Sequence, residues 1–285
     1  MEPIAVFEAE RPRLLGLAYR MTGSRHDADD ILQEAWLRFE HGGADLRSPA
    51  AWLTTVVTRL SIDRLRGIER ERSHYVGPWL PEPTSLERTP DQIVDAANSL
   101  TLAFLVVLDR LSPLERAAFV LAEVFGEPYT SIASTLGRSE PACRQLVHRA
   151  RTRVRAAGES TLRPLDEDLL HRLVSALLAD EPEALLSLLS PDVVLVSDGG
   201  PQRRAARRSV VGPARVARFL TNISRREPGA MVVEGDVNFA ACLFITGKDG
   251  LIVVTGGAQG DQIASLTLMS NPGKVEGADL PRVMK

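Results

Sequence analysis

The stretch LSPLERAAFVLAEVFGEPYTSIASTLGRSEPACRQLVHRARTRVR, Leu111 to Arg155, decides how this chain is read. Ser112 precedes Pro113 and lies three residues before Glu115, the pattern of a capping box with proline at the first helical position, so a helix starts here. Gly126 ends it. A second short helix spans Tyr129 to Leu136, Gly137 supplies the turn, and a third helix begins near Ser139 and runs to about Arg155. Ala133 sits where two crossing helices approach closely, and Ile132, Leu136, Cys143 and Leu146 supply the apolar contacts between them. On the third helix Cys143, Leu146, Val147, Ala150 and Val154 form one stripe; Arg144, His148, Arg151 and Arg155 form another, with Gln145 beside it. This is a helix-turn-helix with a basic outer face, which suits guanidinium contacts to phosphates and guanine edges in a major groove. A solvated basic face on a scaffold helix is the alternative.

Composition bounds the rest. At 285 residues with 44% hydrophobic content, the chain is long enough for two or three compact units with real cores. A net charge of -3 argues against a nucleic-acid partner only on average, because basic residues concentrate between Arg59 and Arg72 and between Arg138 and Arg155. Cys143 and Cys242 lie far apart with no CxxC spacing, which speaks against a disulfide framework or a zinc site, and nothing calls for a metal or cofactor. The acidic start and the lack of a long apolar run fit neither a secretory signal nor a membrane span, so a cytoplasmic location is expected.

Ahead of the helix-turn-helix, a helix is expected from about Pro3 to Met21, closed by Gly23. Ser24 caps the next, whose first turn carries Asp27, Asp29 and Asp30, where the helix dipole favours carboxylates. With Gln33 and Glu34 these form either an acidic surface for a basic partner or a well-capped soluble helix. A third helix, opened by Ser48 and Pro49, passes through Trp52 and Leu53 and turns basic at Arg59, Arg64, Arg66, Arg70 and Arg72. That aromatic and basic mixture suits the backbone and splayed bases of opened DNA. Residues Ser73 to Pro90 are proline-rich and read as an extended linker. Its Trp79 has no use in a free spacer, so Trp79 and Leu80 are expected to dock on a neighbouring domain. A helix from about Asp91 to Asp109 leads into the helix-turn-helix.

The order of Asp27-Ala28-Asp29-Asp30-Ile31-Leu32-Gln33-Glu34-Ala35-Trp36-Leu37-Arg38, then Trp52-Leu53 to Asp63-Arg64-Leu65-Arg66, then Leu111-Ser112-Pro113-Leu114-Glu115-Arg116 resembles bacterial sigma factors of the extracytoplasmic-function (ECF) type. The resemblance implies binding to core RNA polymerase, on the β′ clamp helices and the β subunit, by Asp27, Asp29, Asp30, Gln33, Glu34 and Leu37. It implies that Trp52, Arg59, Asp63, Arg64 and Arg66 melt and read a −10 promoter element. It also implies that Arg138, Ser139, Arg144, Gln145, His148, Arg149 and Arg151 read a −35 element. Thr130-Ser131, where acidic residues are common in that family, and Pro141 are departures from its pattern.

Beyond Gly158 the residues predict a further domain. Helices are expected over Asp166–Leu178, Pro182–Leu189 and Val216–Ile223. Strands are expected over Val193–Ser197, Met231–Val237, Ala240–Thr246, Leu251–Thr255 and Ile263–Met269, the last four as an antiparallel run. This α+β order resembles the SnoaL-like or NTF2-like fold. The fold class is therefore multidomain: two all-α sigma domains, the second with the helix-turn-helix, and an α+β cone. The expected boundaries are 1–72, a linker 73–90, 91–158 and 159–285.

Trp79-Leu80-Pro81-Glu82-Pro83, Asp198-Gly199-Gly200 and Asn271-Pro272-Gly273-Lys274-Val275 resemble the SigJ-type subgroup, which implies regulation in cis by the C-terminal domain through Trp79, Leu80, Asp198, Gly199, Gly200, Asn271, Pro272 and Lys274. Enzyme chemistry would need Asp198 as a pocket acid, yet His171 is the one histidine in this part and sits on its first helix. Whether the domain takes a ligand, small molecule or protein, the sequence leaves open. The rival to a sigma factor is a one-component, ligand-sensing helix-turn-helix regulator.

Overall fold

The structure is a computed structural model that describes residues 3–42, 48–73, 75–84, 101–156 and 162–275. The chain divides into two compact units, one formed by Met1–Ser73 with Leu105–Ala157, the other by His74–Phe104 with Gly158–Lys285.

The first unit is helical. Helices α1 (Pro3–Thr22), α2 (Arg25–Gly42) and α3 (Pro49–Arg72) pack on one another. Gly23, at φ 72°, ends α1, and the Ser24 hydroxyl accepts from the Asp27 amide at 3.1 Å to start α2. Leu14, Leu17, Tyr19, Leu32, Phe39 and Leu53 are buried between them, each worth roughly 1.5–3 kcal/mol of removed apolar surface. Phe7, Trp36, Phe39 and Trp52 form a continuous aromatic run with centroid spacings of 5.1, 6.4 and 5.8 Å.

Of the helix expected over Asp91–Asp109, residues 91–100 lie outside the described residues; the part described is α4 (Leu102–Leu108). The capping box then forms as read. The Ser112 hydroxyl accepts from the Glu115 amide at 3.4 Å and the Glu115 carboxylate from the Ser112 amide at 3.1 Å, opening α5 (Pro113–Phe119). The helix does not stay α-helical to Gly126. It widens into a π turn, Val120–Val124, where the Phe125 amide reaches back to the Val120 carbonyl at 3.2 Å. That extra residue per turn sets the Phe125 ring beneath the guanidiniums of Arg13 and Arg20, 5.9 and 5.5 Å from its centroid. Helix α6 (Tyr129–Leu136) ends at Gly137, whose φ of 62° needs a residue without Cβ, and α7 (Glu140–Ala156) follows.

The second unit is a seven-stranded sheet with helices against it. Its elements are β1 (Arg163–Pro164), α8 (Glu167–Leu178), α9 (Pro182–Leu188), β2 (Leu189–Asp198), β3 (Val210–Val211), α10 (Pro213–Arg226), β4 (Met231–Val237), β5 (Ala240–Gly247), β6 (Gly250–Gln259), β7 (Gln262–Met269) and α11 (Pro272–Val275). The order is β3-β2-β7-β6-β5-β4, with β1 added to β6. Strands β4 to β7 form the expected antiparallel run. What periodicity did not give is that β2 joins this run through β7 in parallel, Leu195 opposite Leu266 and Asp198 opposite Met269. Between them the chain passes through β3, α10 and the three strands β4, β5 and β6, ample length for a parallel return. Leu169, Leu173, Val193, Leu195, Val216 and Leu266 belong to the core between helices and sheet.

Candidate functional site

The acidic face of α2 is split by the structure. Asp29, Asp30, Gln33, Glu34 and Leu37 lie on its outer side, with Leu37 46% exposed, an apolar spot amid polar groups. Asp29 pairs with the half-buried Arg25 at 2.8 Å, and Glu34 pairs with Arg38 at 3.0 Å, the latter an exposed pair that costs little to break. Asp27 is different. It is buried and accepts from Arg64 Nε at 2.7 Å, while Arg64 also bonds Glu71 at 2.7 Å. The Glu71 hydrogen bond chiefly, then that of Asp27, raises the Arg64 pKa against the cost of burial. Asp27 therefore belongs to the internal joint of α2 with α3, not to an exposed acidic surface, and Arg64 is committed to the same joint.

On α3, Asp63 and Arg66 are exposed and paired at 2.9 Å, and Trp52 is half-buried in the aromatic run. Arg59 donates to the Thr135 carbonyl at 3.0 Å and the Ser134 carbonyl at 3.4 Å, satisfying the C-terminal end of α6, while the Thr55 and Thr135 hydroxyls meet at 3.1 Å. Any contact of Arg59 with DNA must replace these bonds.

Recognition-helix candidates also divide. Arg138, Ser139, Arg144, Gln145 and His148 stand exposed around the start of α7. Arg144 lies over the Tyr129 ring at 4.3 Å, which fixes its stem. Farther along, Arg149 pairs with Glu115 at 3.3 Å, Arg153 also bonds Glu115, and Arg151 pairs with Glu123 at 2.7 Å. Burial works to raise the Glu115 pKa, but hydrogen bonds from Ser112 and the charges of Arg153 and Arg149 outweigh it and hold it below the usual carboxylate range. The capping residue thus also fastens α7 to α5.

In the second unit, the three separated signatures come together. Asp198 ends β2 with its side chain fully buried and accepts four donors: Tyr75 Oη, the Gly200 amide at 3.0 Å, the Leu80 amide at 3.0 Å and Lys274 Nζ at 2.8 Å. Lys274 also donates to the Leu80 carbonyl at 2.5 Å and lies 3.8 Å from the Trp79 ring centroid. Asn271 donates to Tyr75 Oη at 2.8 Å, and its Oδ1 accepts from the Gly273 amide at 3.1 Å, so residues 271–275 make a turn that returns Lys274 to Asp198. A Cβ at Gly200 would lie 2.7 Å from Asn271, and one at Gly199 would lie 2.7 Å from the Arg203 carbonyl. Pro272 opens the turn. Trp79 meets Tyr75 edge-on at 4.7 Å, and farther along the Asn238 side chain accepts from the Thr84 amide at 3.2 Å. Burial, then Asp198, pushes the Tyr75 pKa up, so its hydroxyl remains a donor. The described linker, residues 75–84, is a strap on the sheet domain. Both Asp198 oxygens are occupied, and His171 is exposed on α8.

Residues 6–71 match the family Sigma-70 region 2, and residues 101–154 match Sigma-70, region 4. The ECF RNA polymerase sigma factor SigJ of Mycobacterium tuberculosis is 38% identical over 299 residues, covering 97% of this chain and 94% of that protein. The chain is an ECF RNA polymerase sigma factor. A crystal structure of M. tuberculosis SigJ superimposes with a TM-score of 0.79 at 33% identity, over 98% of this sigma factor and 100% of that chain. The probable ECF sigma factor SigI of the same species is 35% identical over 198 residues, 66% of this chain and 67% of SigI. Among the described residues, no helix of this sigma factor is long and apolar enough to cross a membrane.

Sequence reasoning missed two residues that join distant parts of this ECF factor's chain. Tyr75 sits four residues before Trp79, and that aromatic spacing beside a proline-rich run was its only signal. Arg116, read only as part of a motif, is 1% exposed and bonds the Arg20 carbonyl at 2.8 Å and Asp109 at 2.6 Å.

Proposed function

We propose that this sigma factor binds core RNA polymerase through Asp29, Asp30, Gln33, Glu34 and Leu37 of α2 on the β′ clamp helices, with further contact to the β subunit. It reads a −10 element with Trp52, Arg59, Asp63 and Arg66 and a −35 element with Arg138, Ser139, Arg144, Gln145 and His148. The α+β domain regulates it in cis through the Asp198–Lys274 clasp on the linker strap, with working boundaries near residues 72, 90 and 158. The observation that carries this reading is a region 2 match with an exposed acidic helix, in the same chain as a region 4 match with an open recognition helix. A one-component regulator would have no need of the first.

In vitro transcription with purified core polymerase and a promoter library tests it. Promoter-dependent initiation by the full chain supports the reading, and DNA binding without polymerase together with no initiation overturns it. In the same assay, Arg144→Ala is expected to lose about 1–3 kcal/mol of promoter discrimination at one position of the upstream element. Uniform weakening on all sequences would make Arg144 a phosphate contact instead. Asp30→Ala with Glu34→Ala is expected to weaken core-enzyme binding in titration while leaving thermal unfolding unchanged, because both side chains are exposed. Unaltered affinity would move the polymerase contact off α2.

A further inference from the structure

The sheet domain holds a cavity of about 250 Å³ that its own side chains leave unfilled. Leu173, Leu177, Leu220, Val232, Leu243 and Ile252 are among the apolar residues that line it, and Ser224 and Glu227 are the polar side chains on its wall. Interiors are normally packed without voids of this size, and water inside would find few hydrogen-bond partners. An apolar cavity of ~150 Å³ already accepts a benzene ring, so this one has room for a substituted ring or a medium-length alkyl chain. Several of its walls, Val174, Leu177, Ile223, Val232, Ile245 and Ile252, are only partly buried although they pack against the core. They have the exposure of residues that await a tail.

A second, polar cavity of about 850 Å³ adjoins the first and shares Ile223, Glu227, Ile252 and Leu268 with it. Its charged lining comprises Arg203, Arg204, Arg226 and Lys248 against Glu227 and Asp249, four cations facing two carboxylates. One of those carboxylates is already engaged: Glu227 Oε2 accepts from the Lys248 amide at 2.8 Å and lies against Gly247. Arg203 is held on β6 through the Leu251 carbonyl at 2.9 Å. Arg204, Arg226 and Lys248 are exposed. A neutral apolar molecule would leave this positive mouth unused, and a sugar or nucleotide would leave the apolar chamber unused.

We propose that the domain binds a small amphiphilic anion, with an alkyl or aromatic tail in the apolar chamber and a carboxylate or phosphate head against Arg204, Arg226 and Lys248. The proposal does not rest on how the chain meets polymerase or promoter, and its test needs neither.

The full-length protein is titrated calorimetrically, below micelle-forming concentrations, with decanoate, decyl phosphate, 1-decanol and inorganic phosphate. Decanoate or decyl phosphate is expected to bind at one per chain, their order telling a carboxylate head from a phosphate head. Decanol is expected to bind about tenfold more weakly, the loss of one charge-assisted contact, and inorganic phosphate not measurably. Val232→Phe fills the chamber and is expected to weaken both anionic amphiphiles at least about tenfold. Arg226→Ala with Lys248→Ala changes only exposed side chains; it should weaken them by about tenfold and leave decanol unaffected. Absence of saturable binding by either anion, or binding that both variants leave unchanged, overturns the proposal. So does inorganic phosphate competing equally with decyl phosphate, which would make the mouth a surface for phosphates such as those of nucleic acid.

Discussion

Lys274→Ala is expected to destabilise the sheet domain by about 3–5 kcal/mol and to expose residues 75–84 to protease, because it strips the cation from a buried pair and leaves the Asp198 charge behind. Exposed ion pairs seldom matter by more than about 1 kcal/mol, so burial decides the magnitude: the Lys274 side chain is 6% exposed and that of Asp198 0%. Two further losses accompany the charge. The Leu80 carbonyl forfeits its donor, and the Trp79 ring forfeits the ammonium at 3.8 Å. Lys274→Met keeps an unbranched stem against Trp79 but not the charge, so it should behave nearly as badly. Combining it with Asp198→Asn should recover part of the loss, since the uncompensated carboxylate is then gone, and a double-mutant cycle reads this coupling directly. Limited proteolysis mapped to the segment between Tyr75 and Thr84, together with thermal unfolding, checks it. Cleavage there at the wild-type rate in Lys274→Ala would mean that the bonds of Tyr75, Leu80 and Thr84 hold the strap without Lys274. If the strap regulates initiation, the same variant changes transcription by the full chain at unchanged core-enzyme affinity.

What was legible in the sequence follows the range of the forces involved. Ser112, Glu115, Gly126 and Gly137 were readable because caps and left-handed turns are decided within a few residues, and each stands where the rules put it. Strand and helix positions in the second unit were readable from periodicity for the same reason. The parallel pairing of β2 with β7 was not, since strand order is settled by which non-local edges meet, and the alternation of side chains is identical in either direction. Candidate surface residues suffered likewise. Asp27 looks like its neighbours Asp29 and Asp30 until Arg64, thirty-seven residues later, arrives to bury it. The clasp was half legible: motif resemblance brought Trp79, Asp198 and Lys274 under one heading, but the contacts among them, and Tyr75 at their centre, needed the fold.

Arg116→Ala is expected to cost the helical unit about 2–5 kcal/mol, a large share of the 5–15 kcal/mol by which domains are usually stable. This guanidinium is 1% exposed. Burial lowers its pKa, Asp109 opposes that shift, and arginine's high intrinsic pKa leaves it charged. Its Nε satisfies the Arg20 carbonyl at the end of α1, while Nη1 meets Asp109, which Arg72 of α3 also reaches at 3.0 Å. One side chain therefore ties α5 to α1 directly and, through Asp109, to α3. Arg72 remains on Asp109 in the alanine variant, so the carboxylate is not orphaned. The loss comes from the cavity, the unsatisfied carbonyl and the missing bridge. Arg116→Lys sharpens the test: a compact ammonium reaches Asp109 or the Arg20 carbonyl but lacks the planar fork that serves both, so its stability should fall between wild type and alanine. Trp36 and Trp52 report on this unit and Trp79 on the other, so urea unfolding followed by fluorescence in a Trp79→Phe background isolates the effect. A lower midpoint at unchanged slope is the expected result. If Arg116→Ala unfolds at the wild-type midpoint, the buried network contributes nothing net, and the packing of α1, α3 and α5 rests on their apolar faces alone.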